Sequence, residues 1–223
     1  MLMGIIRQLG WTWEVFGEFR RPHAAPLPIT SEDDGWWKHE VRDSIRRWQW
    51  SLAAARRGDC QGLEHPSGVN RKATLAVRNS RSISSYERGT LEGIKVGSFR
   101  SYERLAQAGL AHSANCPFCG QADETLEHMW WQCPAWAHLR SSPDLPSESQ
   151  REALPPCTLQ LSVWMEAAGP AAAVQAKAMD RMMLSIVASR AAAESNLEVN
   201  LPLGEQPAHV SNDIGAPGST APG

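Results

Sequence analysis

The sequence has no long apolar run. Its opening Met1-Leu2-Met3-Gly4-Ile5-Ile6 is cut off by Arg7 and Gln8, too short for a secretory signal core. Nowhere does the chain approach the roughly 18 consecutive apolar residues that a membrane span needs. We therefore expect a soluble intracellular protein of nucleus or cytoplasm, with no membrane partner. Tyrosine and phenylalanine are scarce as well, with two Tyr and four Phe against ten Trp. The aromatic content is thus carried by the side chain hardest to bury completely, and some Trp are expected to stay half exposed. Cysteine is too sparse for a disulfide framework. Of five, three fall close together beside a histidine, at Cys116, Cys119, His128 and Cys133, which suits metal chemistry in a reducing compartment. Cys60 and Cys157 are left as free thiols.

Net charge is also small, at −2, but it is unevenly spread. Residues 38–104 hold 14 Lys/Arg against 7 acids, a local net charge of +7, whereas residues 105–223 carry −7. The first stretch can meet a polyanion, the second repels one.

Six segments follow from the patterning. Residues 1–37 form an irregular Trp- and Pro-rich segment, in which Trp11, Trp13 and Val15 alternate with Thr12 and Glu14 as in a short strand. Residues 38–83 comprise a basic helix and a linker. Val41, Ile45, Trp48 and Leu52 make the apolar stripe of a helix that Gly58 stops, and residues 59–82, rich in Gly, Ser, Asn and Arg, read as loop. Arg42, Arg46, Arg47, Arg56 and Arg57 occupy the helix's other faces, with Arg71 and Lys72 just beyond. Such a surface suits a phosphate backbone or plain solvation, and the two readings stay open.

Residues 84–140 form a helical module around the cysteines. It opens with Ser84-x-x-Glu87, a capping box for a helix through Leu91 and Ile94, and continues with a short helix marked by Phe99, Tyr102 and Leu105. A Pro-rich connector follows over 141–169. An Ala/Met-rich helix spans 170–197, and the tail from 198 to 223 is expected to be disordered. The fold class expected is mainly α: a small zinc-stabilised helical domain between an irregular N-terminal segment and a disordered tail.

The chemistry lies in C-x2-C-x8-H-x4-C, formed by Cys116, Cys119, His128 and Cys133. Two close pairs of thiolate and imidazole ligands meet the tetrahedral demand of Zn²⁺. Gly120, after the second cysteine, frees the backbone for the tight turn that points two sulfurs at one place. Four protein ligands leave no position for a water, so the site reads as structural rather than hydrolytic. His112 and His138 complete no ligand spacing and read as surface residues.

Over residues 84–140 the chain resembles the C-terminal CCHC zinc-binding region of non-LTR retrotransposon reverse-transcriptase polyproteins, on Cys116-Pro-Phe-Cys-Gly, Glu124-Thr-x-x-His128 and Trp131-x-Cys-Pro134. Residues 1–83 resemble the segment joining polymerase and zinc region more loosely, and nothing beyond about 160 shares the likeness. The resemblance implies contact with the element's RNA or its DNA target. Polymerase carboxylates are missing, because the only Asp-Asp, Asp33-Asp34, lies in Ser-Glu-Asp-Asp-Gly and reads as a helix start. Pro143-Asp144 begins like a nuclease motif that no following acid-x-Lys completes. No enzymatic activity is expected.

The expectation is a zinc module, a polyprotein fragment that binds RNA or DNA weakly and with little sequence preference. Contacts would run through Arg42, Arg46, Arg47, Arg56, Arg57, Arg71 and Lys72, with Trp131 stacking on bases. The alternatives are a zinc-fixed protein-interaction surface built on exposed Trp130, Trp131 and Trp136, and a relic reading frame without function. Metal removal is expected to unfold residues 110–140 before the Ala-rich helix.

Overall fold

The structure, a computed structural model, describes residues 7–14, 18–20, 27–28 and 34–199. It is mainly helical, as expected. The strand anticipated near Trp11 forms as β1 (Thr12–Glu14), which pairs antiparallel with β2 (Glu18–Arg20). β3 (Leu27–Pro28) pairs with β2 at the sheet's edge, where a proline costs no ladder bond. Trp11 and Phe19 stack at 5.7 Å and make a small apolar cluster with Leu9 and Val41.

The basic helix α1 runs Asp34–Arg56. Of the expected stripe, Val41 meets the Trp11 cluster, whereas the residues that reach the main core, Trp50 and Ala53, lie outside that stripe. Trp48, expected on the buried stripe, is 38% exposed. The helix ends because Arg57 turns extended (φ −137°, ψ 124°), and Gly58 opens a 3-10 turn over Gly58–Cys60 instead of capping in the left-handed region.

Residues 59–82 are not a linker. Cys60, Leu63, Ala73, Thr74 and Val77 are buried, and α2 (Arg71–Thr74) is capped by the Asn70 side chain, which accepts from the Ala73 N–H at 2.9 Å. Asn70 N–H donates to the Trp164 carbonyl at 2.7 Å, and the Trp164 N–H donates to Thr74 Oγ1 at 3.0 Å. These short turns carry no helical or strand period, so their core contribution leaves no periodic trace.

α3 (Ser85–Lys95) starts with the expected capping box between Ser84 and Glu87 and buries Leu91 and Ile94. α4 (Tyr102–Gln107) is capped by Ser101.

The expected connector over 141–169 is core as well. Two of its prolines, Pro155 and Pro156, open a helix instead of breaking one. α5 (Glu148–Ala153) has a Ser147/Gln150 capping box, and α6 (Pro156–Leu161) carries Pro156 in its first turn, where no N–H is needed. Cys157, Leu161 and Trp164 are almost wholly buried.

α7 (Ala172–Val199) buries Ala172, Ala176, Met179, Met183 and Ile186 against the same core. It extends two residues into the tail expected at 198–223, and the rest of that tail lies outside the described residues. One apolar core therefore draws on residues from Cys60 to Val187, across four of the expected segments. Among the described residues no helix is long and apolar enough to cross a membrane.

Candidate metal centre

The first ligand pair lies on a tight turn. Cys116 N–H donates to the Ala122 carbonyl and Gly120 N–H to the Cys116 carbonyl, both at 2.8 Å. Asn115 and Asp123 bridge in antiparallel fashion to close the loop. Gly120 takes φ +65°, the left-handed conformation a side chain would resist. The turn aims backbone N–H groups at sulfur: those of Phe118 and Cys119 at Cys116, and those of Gln121 and Ala122 at Cys119.

The second pair sits on a widened turn. In an α-helix, residues five apart are rotated by about 140° and could not share a ligand. Here His128–Gln132 forms a π turn, and Cys133 N–H donates to the His128 carbonyl at 2.7 Å. That i→i+5 closure brings both ends of His-x4-Cys to one side. Thr125 Oγ1 accepts from the His128 N–H at 2.9 Å, and both guanidinium arms of Arg140 hold carbonyls of the turn, Trp130's at 3.2 Å and that of Cys133.

Together the two turns place the ligand atoms of Cys116, Cys119, His128 and Cys133 within 4.8 Å of one another. Cys116 Sγ and Cys133 Sγ are 3.8 Å apart, and Cys119 Sγ lies 3.3 Å from His128 Nε2. A tetrahedron with metal–sulfur bonds of ~2.3 Å and metal–nitrogen bonds of ~2.0 Å has edges of about 3.8 Å and 3.5 Å. The donor set therefore fits a tetrahedral ion. The described cysteines are free of disulfides.

Burial pushes the Cys116 thiol up to about 12 and raises that of Cys133. At Cys119 burial also acts upward, but the N–H groups of Gln121 and Ala122 and the neighbouring thiols outweigh it and lower the value. Burial, with Arg140 nearby, lowers His128 and keeps its imidazole in the neutral form that ligates metal. A dication would replace the protons that burial retains on the sulfurs.

The tryptophans beside the ligands are structural. Trp130 and Trp131 donate their indole N–H groups to the carbonyls of Gln160 (3.1 Å) and Leu159 (3.0 Å). These belong to the last turn of α6, whose carbonyls lack intrahelical partners. Trp131 is only 9% exposed, with the Arg151 guanidinium 5.0 Å over its ring. The expected base-stacking role of Trp131 is thus corrected: its face and its polar edge are both occupied. Trp130 and Trp136 are buried too, which removes the exposed Trp surface expected for a protein partner.

The basic residues divide. Arg57 is consumed internally, paired with Asp59 at 2.6 Å and donating to the carbonyls of Val96 and Gly97. Arg47 pairs with Asp43 at 2.7 Å and donates to the Pro66 carbonyl. Both are corrected from surface contacts to structural ones. Among the described residues Arg42, Arg46, Arg56, Arg71 and Lys72 form no ion pair, and all but Arg46 are exposed. His112 and His138 are exposed, as expected.

Two residues beside the centre were missed. Glu124 is fully buried, and Arg190 of α7 reaches it at 3.2 Å. A signal existed, because Arg190 continues the buried stripe of Met183, Ile186 and Val187 at helical spacing. Comparison with protein-family models, curated proteins and solved structures yields no match.

Proposed function

We propose that the chain is a structural zinc module that binds RNA or DNA weakly, as its resemblance to the CCHC region of retrotransposon polyproteins suggests. The observation that carries the zinc reading is the ligand geometry: four donors within 4.8 Å of one another, with the Cys116–Cys133 and Cys119–His128 separations close to tetrahedral edge lengths, on two turns that aim them. Zn²⁺ suits a Cys3His donor set, and four protein ligands close the coordination sphere, so the ion supports the fold and no turnover is expected. Cys116, Cys119, His128 and Cys133 would hold it.

The nucleic-acid reading is supported by Arg42, Arg56, Arg71 and Lys72, exposed cations without an acidic partner among the described residues. With the aromatic rings engaged in the core, affinity rests on phosphate neutralisation, which is salt-sensitive and blind to sequence.

The tests are direct. Metal analysis of protein purified without chelator should find about one zinc per chain, and Cys119→Ser should lose it. Binding to labelled single-stranded RNA and DNA should weaken as salt rises. The combined substitution of Arg42, Arg56 and Arg71 by Ala should flatten the slope by about 0.7 for each phosphate that is no longer neutralised on a single strand. No binding at low salt would overturn the nucleic-acid reading and leave the zinc reading standing.

A further inference from the structure

Arg190 connects parts of the molecule that are distant in sequence. Its Nη2 pairs with the Glu124 carboxylate at 3.2 Å, its Nη1 donates to the Arg100 carbonyl at 3.1 Å, and its Nε donates to Glu194 at 3.0 Å. The guanidinium carbon lies 5.2 Å from the ring centre of Tyr102, 5.6 Å from Phe99 and 5.9 Å from Phe118. Phe118 is one of the two residues between the ligands Cys116 and Cys119, and its ring packs on Trp136 at 5.0 Å, just past the ligand Cys133. Glu124 stands between Cys119 and His128, and its carboxylate also accepts from the Tyr102 N–H at 3.1 Å. Arg190 thereby touches both the Cys-x-x-Cys turn and the link to the second ligand pair.

Glu124 is fully buried, and its Oε2 has no hydrogen-bond partner within the protein. A buried carboxyl keeps its charge only with a cation or hydrogen-bond donors beside it, and burial pushes Glu124 towards its protonated form against the pull of Arg190. The loop that presents the ligands therefore closes over an ionised Glu124 most favourably when Arg190 arrives with α7. Conversely, the cation on α7 keeps Glu194 and the Arg100 carbonyl without the ligand loop, but it gains its buried carboxylate partner and the Phe118 ring only when that loop closes.

We propose that Arg190 is a positioning residue for the metal centre, coupling metal binding to the docking of α7 so that the knuckle and the long helix form and dissolve as one unit. This rests on the reading that the Cys3His cluster binds zinc. It replaces the expectation that residues 110–140 unfold first on metal removal while the Ala-rich helix survives. Coupling of this kind is reciprocal, because whatever Arg190 adds to metal affinity, metal adds to helix docking.

The experiment uses the full chain. Zn²⁺ affinity is measured by competition with a chelator for the unsubstituted protein, Cys119→Ser, Arg190→Ala, Glu124→Gln and the Arg190→Ala/Glu124→Gln pair. Arg190→Ala should weaken zinc binding by at least about tenfold, within the range of ordinary coupling energies. Adding Glu124→Gln should recover at least half of that loss on a logarithmic scale, because the stranded carboxylate is gone. A general packing defect would instead worsen with a second substitution. Hydrogen exchange of the unsubstituted protein gives a readout that does not depend on the variants folding: chelation should erase amide protection in residues 116–133 and 179–193 together. The proposal is overturned by unchanged affinity in Arg190→Ala, by a double variant no better than the single, or by α7 staying protected after chelation. Full zinc uptake by Cys119→Ser would instead sink the zinc reading beneath it.

Discussion

Replacing Lys95 by Met should be among the most damaging single substitutions in this protein, although Lys is ordinarily a surface residue. Its ammonium group is 7% exposed and lies 2.6 Å from the Asp180 carboxylate, itself fully buried. Lys95 also donates to the Ser162 carbonyl at 3.2 Å. Burial pushes Lys95 down and Asp180 up, and each is the main opposing influence on the other, with Ser162 adding to both. Breaking such a pair from one side leaves an uncompensated buried charge, at a cost of about 3–5 kcal/mol, whereas exchanging both partners for apolar residues is often neutral or better. With roughly 2–4 °C of melting temperature per kcal/mol for a chain of this size, Lys95→Met should lower Tm by about 6–20 °C. The Lys95→Met/Asp180→Leu pair should recover most of that. Urea unfolding followed by tryptophan fluorescence gives both free energies. A single variant within about 0.5 kcal/mol of the parent, as at an exposed site, would refute the reasoning. So would a double variant as unstable as the sum of the two singles.

Asp59→Asn should cost about 1–3 kcal/mol, the range for hydrogen bonds to charged groups. Burial alone would raise the Asp59 carboxyl, but hydrogen bonds from Arg57 and Arg104 outweigh it and hold the carboxyl below its ordinary value of 3.8. A depressed carboxyl contributes its full stability above its unfolded value and loses it as pH falls through the folded one. The gap between Asp59→Asn and the parent should therefore be constant above about pH 5 and shrink below about pH 4, and equal gaps at pH 7 and pH 3 would contradict this. Trp131→Ala should destabilise by about 3–5 kcal/mol, since it opens the core and frees the Leu159 carbonyl. Under conditions where that variant stays folded, its affinities for single-stranded and duplex nucleic acid should change in parallel. A selective loss of single-strand binding would restore the stacking role that its burial argues against.

Much of the centre was legible in the sequence because its signals are local. The ligand spacing, the glycine that frees the first turn, the Ser84 capping box and the period of α1 and α7 each act within a few residues, and neighbours in sequence determine them. The π turn that brings His128 and Cys133 to one point, by contrast, shows only in the structure, because the spacing alone does not give the turn's width. What only the tertiary structure decided is which surfaces those elements meet. Trp131 reads the same whether it stacks on a base or caps α6, and the carbonyl of Leu159 that captures it lies 28 residues away. Arg57 and Arg47 look like phosphate contacts until Asp59, Gly97, Asp43 and Pro66 are brought to them. The 59–82 and 141–169 segments carry no period because their turns are short, yet they supply walls of the core. Arg190 meets Glu124 only because α7 folds back across the metal centre. Local propensity and spacing are short-range, whereas burial and charge pairing depend on what the fold places opposite, and that choice belongs to the whole core.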